Sequence, residues 1–319
     1  VFLHIAALVV PTSLPPFWLL YQLTFCATRR SDAALTLISM WRKPLALTDV
    51  ARAFLSQPPP RKPLPRMTNL LGSIQFPAAM PFGEDCFTRE DEADDSIMYR
   101  SPILCTHIDD DAIVALTKHY RRTLPATPPG NAVALLDLCS SWVSFLPPEF
   151  TPCRCVGLGM NSFELGENEQ LTERTVHNLN KGGALRLPFD DGSFDVITNV
   201  VSVDYITRPL QLFEEMHRVL RPGGVAVMSF SNRMFWHKAV RIWTEASEWQ
   251  RVLICSLYFR LAGGGEAFEA VEALLITEPE GHDPMYIVQA RKPGAGSQEP
   301  EGRQSPSDTD NEDGVPSMV

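Results

Sequence analysis

The stretch Leu187–Ser231, LPFDDGSFDVITNVVSVDYITRPLQLFEEMHRVLRPGGVAVMSFS, constrains this chain more than any other. Asp190-Asp191-Gly192-Ser193 is dense in turn formers and precedes a β-branched apolar run, Phe194–Val201. A run so short and continuous predicts a strand covered on both faces of a parallel sheet. Thr207 is placed to cap the next helix, with Pro209 in its first turn. Leu212, Phe213, Met216, Val219 and Leu220 recur at helical spacing as its core stripe. Pro222 cannot continue a helix, and Gly223-Gly224 permit a reversal into a second strand, Val225–Phe230. Strand, helix and parallel strand make a right-handed crossover. The fold class is therefore α/β, a mostly parallel sheet with helices on both faces.

Patterning extends this outward. A helix capped by Asp109 or Asp110 runs to Leu124, with Ile113, Leu116 and Tyr120 buried. Strands are predicted over Ala132–Leu138, Cys153–Leu158 and Thr175–Leu179, with a helix from Ser162 to about Leu171. A long helix is expected from Met234 to Leu261, ended by Gly263-Gly264-Gly265, and a last strand over Met285–Ala290. Residues 266–278 fit helix or strand. Residues 68–131 mix acids with Phe82, Phe87 and Tyr99 ahead of the first strand, as a lid lying on the main domain would.

The charge distribution bounds the partners. Residues 1–66 hold eight Lys/Arg and two Asp/Glu, whereas residues 297–319 hold one Arg and six acids, in a chain of net charge −10. An acidic body argues against a nucleic-acid footprint. Pro11, Pro15 and Pro16 break the apolar N-terminal stretch, against a stable membrane span. Residues 1–67, basic and ending proline-rich, read as a targeting segment for a chloroplast or other organelle, or as disordered sequence of a cytoplasmic protein. Residues 293–319 read as a disordered acidic tail, leaving 68–292 as the folded domain. The seven cysteines show no metal-ligand spacing, so no metal is expected; Cys153 and Cys155 should share one face of their strand. Oligomeric state has no signature here.

LPF-x-x-x-x-FD followed by E-x-x-RVLRPGG resembles the class I S-adenosylmethionine (SAM) dependent methyltransferases, specifically the type 11-like members. DL-x-SSWVS-x-LP, VGLGMN-x-x-EL, SVDYI-x-x-P and SFSNRMF-x-x-KA, with F-x-x-x-DE-x-D and THIDDDAI upstream, resemble a plant and cyanobacterial methyltransferase-like group of unassigned substrate. The resemblance implies a Rossmann-like sheet with an antiparallel final strand, and SAM as cofactor. Ligands in such sheets bind outside the carboxyl ends of the strands at the switch of strand order. No G-x-G-x-x-G follows the first strand, against a nicotinamide enzyme.

Carried onto this chain, the resemblance assigns Asp137, Cys139, Ser140 and Ser141 to the first cofactor loop, where the family usually has acidic-x-Gly-x-Gly-x-Gly. Asp137 has the alternative of capping its own turn. Gly159 stands where the family has the acid that accepts from the ribose hydroxyls, and Asn161 is the neutral substitute; an Asp at 159 is expected to tighten binding. Asn178 and Leu179 fall at the adenine position, and Asn199 at the fourth strand end. On the acceptor side we expect Tyr99, Arg100, Asp204, Asn232 and Arg233 to bind substrate, and His107 and Tyr205 to act in catalysis, His107 taking a proton. Arg233 has the alternative of pairing with an acid. The expected function is SAM-dependent methyl transfer to a small, polar molecule; the alternative is an inactive methyltransferase-like binding or scaffold protein.

Overall fold

The computed structural model describes residues 45–59, 69–126, 132–277 and 282–294. The proposed targeting segment before residue 45 and the acidic tail after residue 294 lie outside the described residues. The centre is a seven-stranded sheet: β1 (Ala134–Leu138), β2 (Arg154–Gly159), β3 (Glu173–Val176), β4 (Phe194–Val200), β5 (Leu220–Phe230), β6 (Glu269–Leu275) and β7 (Tyr286–Arg291). Their spatial order is β3-β2-β1-β4-β5-β7-β6. β1 to β5 are parallel, and β7 pairs antiparallel with both β5 and β6. Strand order reverses between β1 and β4, which places the switch point at Leu138 and Asn199.

Alternation along the strands separates two cores. Leu136 and Leu138 face a layer with Phe213, Leu253 and Phe259, while Leu135 faces another with Leu116, Tyr120 and Leu165. The first layer holds the helices Pro209–Val219 and Glu248–Leu261; the second holds Asp110–Thr123 and Ser162–Glu167. Every residue of β1 is buried, as a strand covered on both faces requires. No helix among the described residues is long and apolar enough to cross a membrane.

Several boundaries differ from the sequence reading. Thr207 does not cap the crossover helix: its hydroxyl donates to Asn180 Oδ1, and Arg208 stands at the cap position, its guanidinium donating to the carbonyls of Leu179 and Lys181 instead of capping. The long helix after β5 is two helices, Arg241–Glu245 and Glu248–Leu261. They are separated because Ser247 and Gln250 form a reciprocal capping box that starts the second afresh. Within the stretch the sequence left open, Glu269–Leu275 form a strand, β6. Cys153 precedes β2 and is exposed, so it does not share a buried face with Cys155.

A helix before residue 68 also packs on the core. Helix Asp49–Leu55, capped by Thr48, buries Ala51, Phe54 and Leu55 in the main core. Trp249 Nε1 and Gln250 Nε2 donate to the carbonyls of Gln57 and Leu55, fastening its end to the body. Phe54→Ala is therefore expected to lower the unfolding free energy by about 3–5 kcal/mol. Val50→Ala, on the exposed face of the same helix, should change it by under about 0.5 kcal/mol. Equal urea midpoints for the two variants would show that the helix is not part of the core.

Candidate functional site

A cavity of about 1270 Å³, counted with its open mouth, lies at the carboxyl ends of β1, β2 and β4. Its floor is Asp137–Val143, from the end of β1 into the following loop, and its walls come from Leu158–Met160, His177–Asn180, Val200–Ser202, Tyr205 and Ile206. Residues from 89 to 107 pass over it, and Arg233–Phe235 and Lys238 close the far side.

The floor shows how a glycine-poor loop makes the required turn. Cys139 holds φ 58° and Phe145 φ 54°, both in the left-handed region that favours glycine. Asp137 anchors the turn: Ser144 Oγ donates to Oδ2 (2.7 Å) and Thr198 Oγ1 to Oδ1 (2.8 Å). Burial pushes the Asp137 carboxyl up from its ordinary range, opposed by these hydroxyls. Burial likewise pushes the Cys139 thiol up to about 12, so the thiol is neutral at ordinary pH. Ser140 N donates to Leu158 O, drawing the loop across the end of β2.

That crossing decides the neighbouring position. A Cβ on Gly159 would lie 2.1 Å from the Ser140 carbonyl oxygen. No side chain fits there, so the expectation that an Asp at 159 would tighten cofactor binding is overturned: it would displace the loop. Asn161 is no ribose substitute either. Its Oδ1 accepts from Phe163 N and Glu164 N as a helix cap, and its Nδ2 donates to Tyr99 O.

The cover is held by polar tethers. Ile103 N donates to Glu164 Oε1 (2.8 Å), and Trp142 Nε1 donates to Cys105 O. Arg89 Nη1 donates to Asp95 Oδ1 (2.7 Å), and Asn180 Nδ2 to Asp95 Oδ2 (2.9 Å). Lys238 Nζ donates to Ala93 O and lies 3.1 Å from Asp91 and 3.3 Å from Asp95. Arg89, Asp95 and Lys238 side chains are each over nine-tenths buried, so this cluster fixes the cover through mutually satisfied charges.

The cavity brings together His107, Tyr205, Asp137, Cys139, Ser140, Ser141, Gly159, Asn178, Leu179, Tyr99 and Arg233. His107, at φ 62°, sets its ring edge-on to Phe235 and its Nδ1 3.6 Å from Cys105 Sγ. The Tyr205 hydroxyl accepts from Phe235 N. Arg233 Nε donates to Asp283 Oδ1 (2.9 Å), so the pairing alternative is the one observed. Arg100, Asn161, Asn199, Asp204 and Asn232 are not among the lining residues. Arg100 points to solvent, Asn199 is fully buried with Nδ2 on Leu138 O, and Asn232 accepts from Ser231. Sequence reasoning missed Met160, Glu164, Phe235 and Lys238. Glu164 and Lys238 stood within the quoted VGLGMN-x-x-EL and SFSNRMF-x-x-KA, which was the available signal.

Asp204 turns away from the cavity into the core, 2% exposed, where burial pushes its carboxyl up to about 8 and Arg251 opposes the shift. Among the described residues no group of three His, Cys, Asp or Glu is arranged to hold a metal ion.

Residues 144–228 match a family model described as a methyltransferase domain. A demethylmenaquinone methyltransferase of Listeria monocytogenes is 35% identical over 98 residues, covering 28% of this chain and 41% of that protein. One of Geobacillus stearothermophilus is 36% identical over 100 residues, covering 29% and 42%. The chain thus spans about two fifths of these relatives. Among solved structures, an S-adenosylmethionine dependent methyltransferase from Mesorhizobium loti aligns over 56% of this chain and 98% of its own, at 18% identity and TM-score 0.38.

Two stability predictions follow from the geometry. Gly159→Ala should lower the melting temperature clearly, because its methyl group meets a backbone carbonyl; an unchanged melting temperature would refute the crossing. Asp204 has a folded pKa of about 8 against an ordinary 3.8. Its contribution is fully present below about pH 3.8 and is lost as pH rises through about 8. Asp204→Asn should therefore flatten the fall in melting temperature across that window, and parallel wild-type and variant curves would argue against a buried neutral acid.

Proposed function

We propose, on the premise that this chain carries a class I SAM-dependent methyltransferase domain, that it transfers the methyl group of SAM to a small molecule. The observation that carries this reading is the left-handed turn at Cys139. It stands at the first glycine position of the family's cofactor loop, at the switch point of the sheet, on the floor of the cavity.

The residues present fit such a cofactor at its two ends. The turn Cys139–Val143 leaves room for a close approach by an amino-acid moiety, and Ser140 and Ser141 are small. Met160 and Leu179 offer apolar surface on the adenine side, with Asn178 beside them. When bound, SAM supplies an electrophilic methyl group on sulfur. The chain's own residues then have three tasks: to hold the acceptor in line, to exclude water, and to accept a proton where the acceptor is a hydroxyl or amine. The cover from Arg89 to His107 excludes water. Tyr99, Tyr205 and Phe235 give the acceptor side an aromatic surface, and His107 offers its ring as proton acceptor. An acceptor with a flat apolar part and one ionisable group suits this lining. The relatives named demethylmenaquinone methyltransferase are consistent with a ring-shaped acceptor.

Calorimetry of the full chain with S-adenosylhomocysteine tests the reading. Saturable binding is expected, and no heat at millimolar ligand would favour the non-enzymatic alternative. His107→Ala should leave that binding within about twofold while reducing methyl transfer about 10²–10⁴-fold. Unchanged turnover in the variant would remove His107 from the chemistry.

A further inference from the structure

This inference rests on the reading that the cavity binds an adenosyl cofactor. The ribose of such a cofactor presents two adjacent hydroxyls, which a carboxylate pairs with more strongly than an amide. The strand end that would ordinarily supply it is closed. Gly159 faces the Ser140 carbonyl with no room for a Cβ, and Asn161 is spent on a helix cap and on Tyr99 O.

Three carboxylates line the cavity among the described residues: Asp95, Asp137 and Glu164. Asp95 is committed to Arg89, Lys238 and Asn180. Asp137 lies in the seam between β1 and β4, clasped by Ser144 and Thr198. Glu164 differs from both. It sits one turn beyond the end of β2, in the first turn of helix Ser162–Glu167, and is 5% exposed. Oε2 accepts from Ser141 Oγ (2.6 Å) and Oε1 from Ile103 N (2.8 Å). A carboxylate has about four lone-pair sites, so each oxygen retains one, and among the described residues no cationic side chain forms an ion pair with it. Its partners place it between the cofactor loop, through Ser141, and the cover, through Ile103.

We infer that Glu164 is the ribose-binding carboxylate of this protein, moved from the strand end to the following helix. The loop crossing that excludes a side chain at Gly159 brings Ser141 to Glu164, so the loss of one acid and the recruitment of the other have one cause. The same carboxylate couples the cofactor to the cover: Ile103 N is held by the oxygen pair that receives the ribose.

The test compares S-adenosylhomocysteine with its 2′,3′-dideoxy counterpart on the full chain by calorimetry. Wild type is expected to prefer the diol. Glu164→Gln should weaken S-adenosylhomocysteine about tenfold or more, as for loss of a hydrogen bond to a charged group, and leave the dideoxy ligand within twofold. Ser141→Ala, which keeps the carboxylate, should retain the preference for the diol. Equal weakening of both ligands in Glu164→Gln, or of neither, overturns the assignment while leaving cofactor binding intact. If wild type binds neither ligand, the proposed function itself fails and this inference with it. A crystal structure of the wild-type complex needs no variant. Glu164 oxygens within about 3.2 Å of the ribose oxygens are expected, and ribose hydroxyls bonded to another residue would overturn it.

Discussion

The loop after β1 runs over the end of β2 so closely that the Ser140 carbonyl lies against the Cα of Gly159. Much of the cavity follows from that contact. Ser140 N bonds to Leu158 O, which fixes the loop's height above the sheet. Cys139 must then adopt a left-handed backbone to enter the crossing, at a cost on the order of 1 kcal/mol or more for a residue with a side chain. Asp137, Ser144 and Thr198 offset that cost by tying the two ends of the turn to β4. With the strand end blocked, polar function moves to the first turn of the next helix, where Asn161 caps and Glu164 receives the loop.

The cover is a second consequence. A segment with little regular structure, from Arg89 to His107, cannot lie over a sheet edge unless its backbone and side-chain polar groups find partners. Here the partners come from the loops themselves: Asn161 and Glu164 after β2, Asn180 after β3, Trp142 after β1 and Lys238 after β5. The floor and the lid of the cavity therefore share residues. Asn180 illustrates this. It donates to Asp95 of the cover and to Tyr205 O of the wall, while its Oδ1 accepts from Thr207. Opening the cover requires breaking bonds that also shape the walls, so access to the cavity and its geometry are coupled.

Charged groups around the cavity are mostly balanced locally. Arg233 is matched by Asp283, and the cation pair Arg89 and Lys238 by Asp91 and Asp95. Asp204 is buried without a hydrogen-bond partner for Oδ2 and is pushed toward its neutral form. The far side of the cavity is thus lined by aromatic rings and by charges already paired.

The sequence by itself determined the parallel strands β1 to β5, the crossover Phe194–Phe230 and the loop after β1, because apolar periodicity and turn residues are local signals. It also carried the Lys238 and Glu164 motifs, but not their partners, which lie 143 or more and 23 or more positions away respectively. It misplaced Asp204, since a residue just after a buried strand has two directions to turn, and only the bond from Val240 N to the Asp204 carbonyl and the charge of Arg251, both distant in sequence, bear on which one it takes. It read Gly159 as a missing acid, whereas the fold makes it a site of backbone contact. It set the domain start after helix Asp49–Leu55, because a seven-residue helix carries too short a period to read. Tertiary structure alone decided which polar groups remain open to a ligand, since that depends on which others have already been paired across the fold.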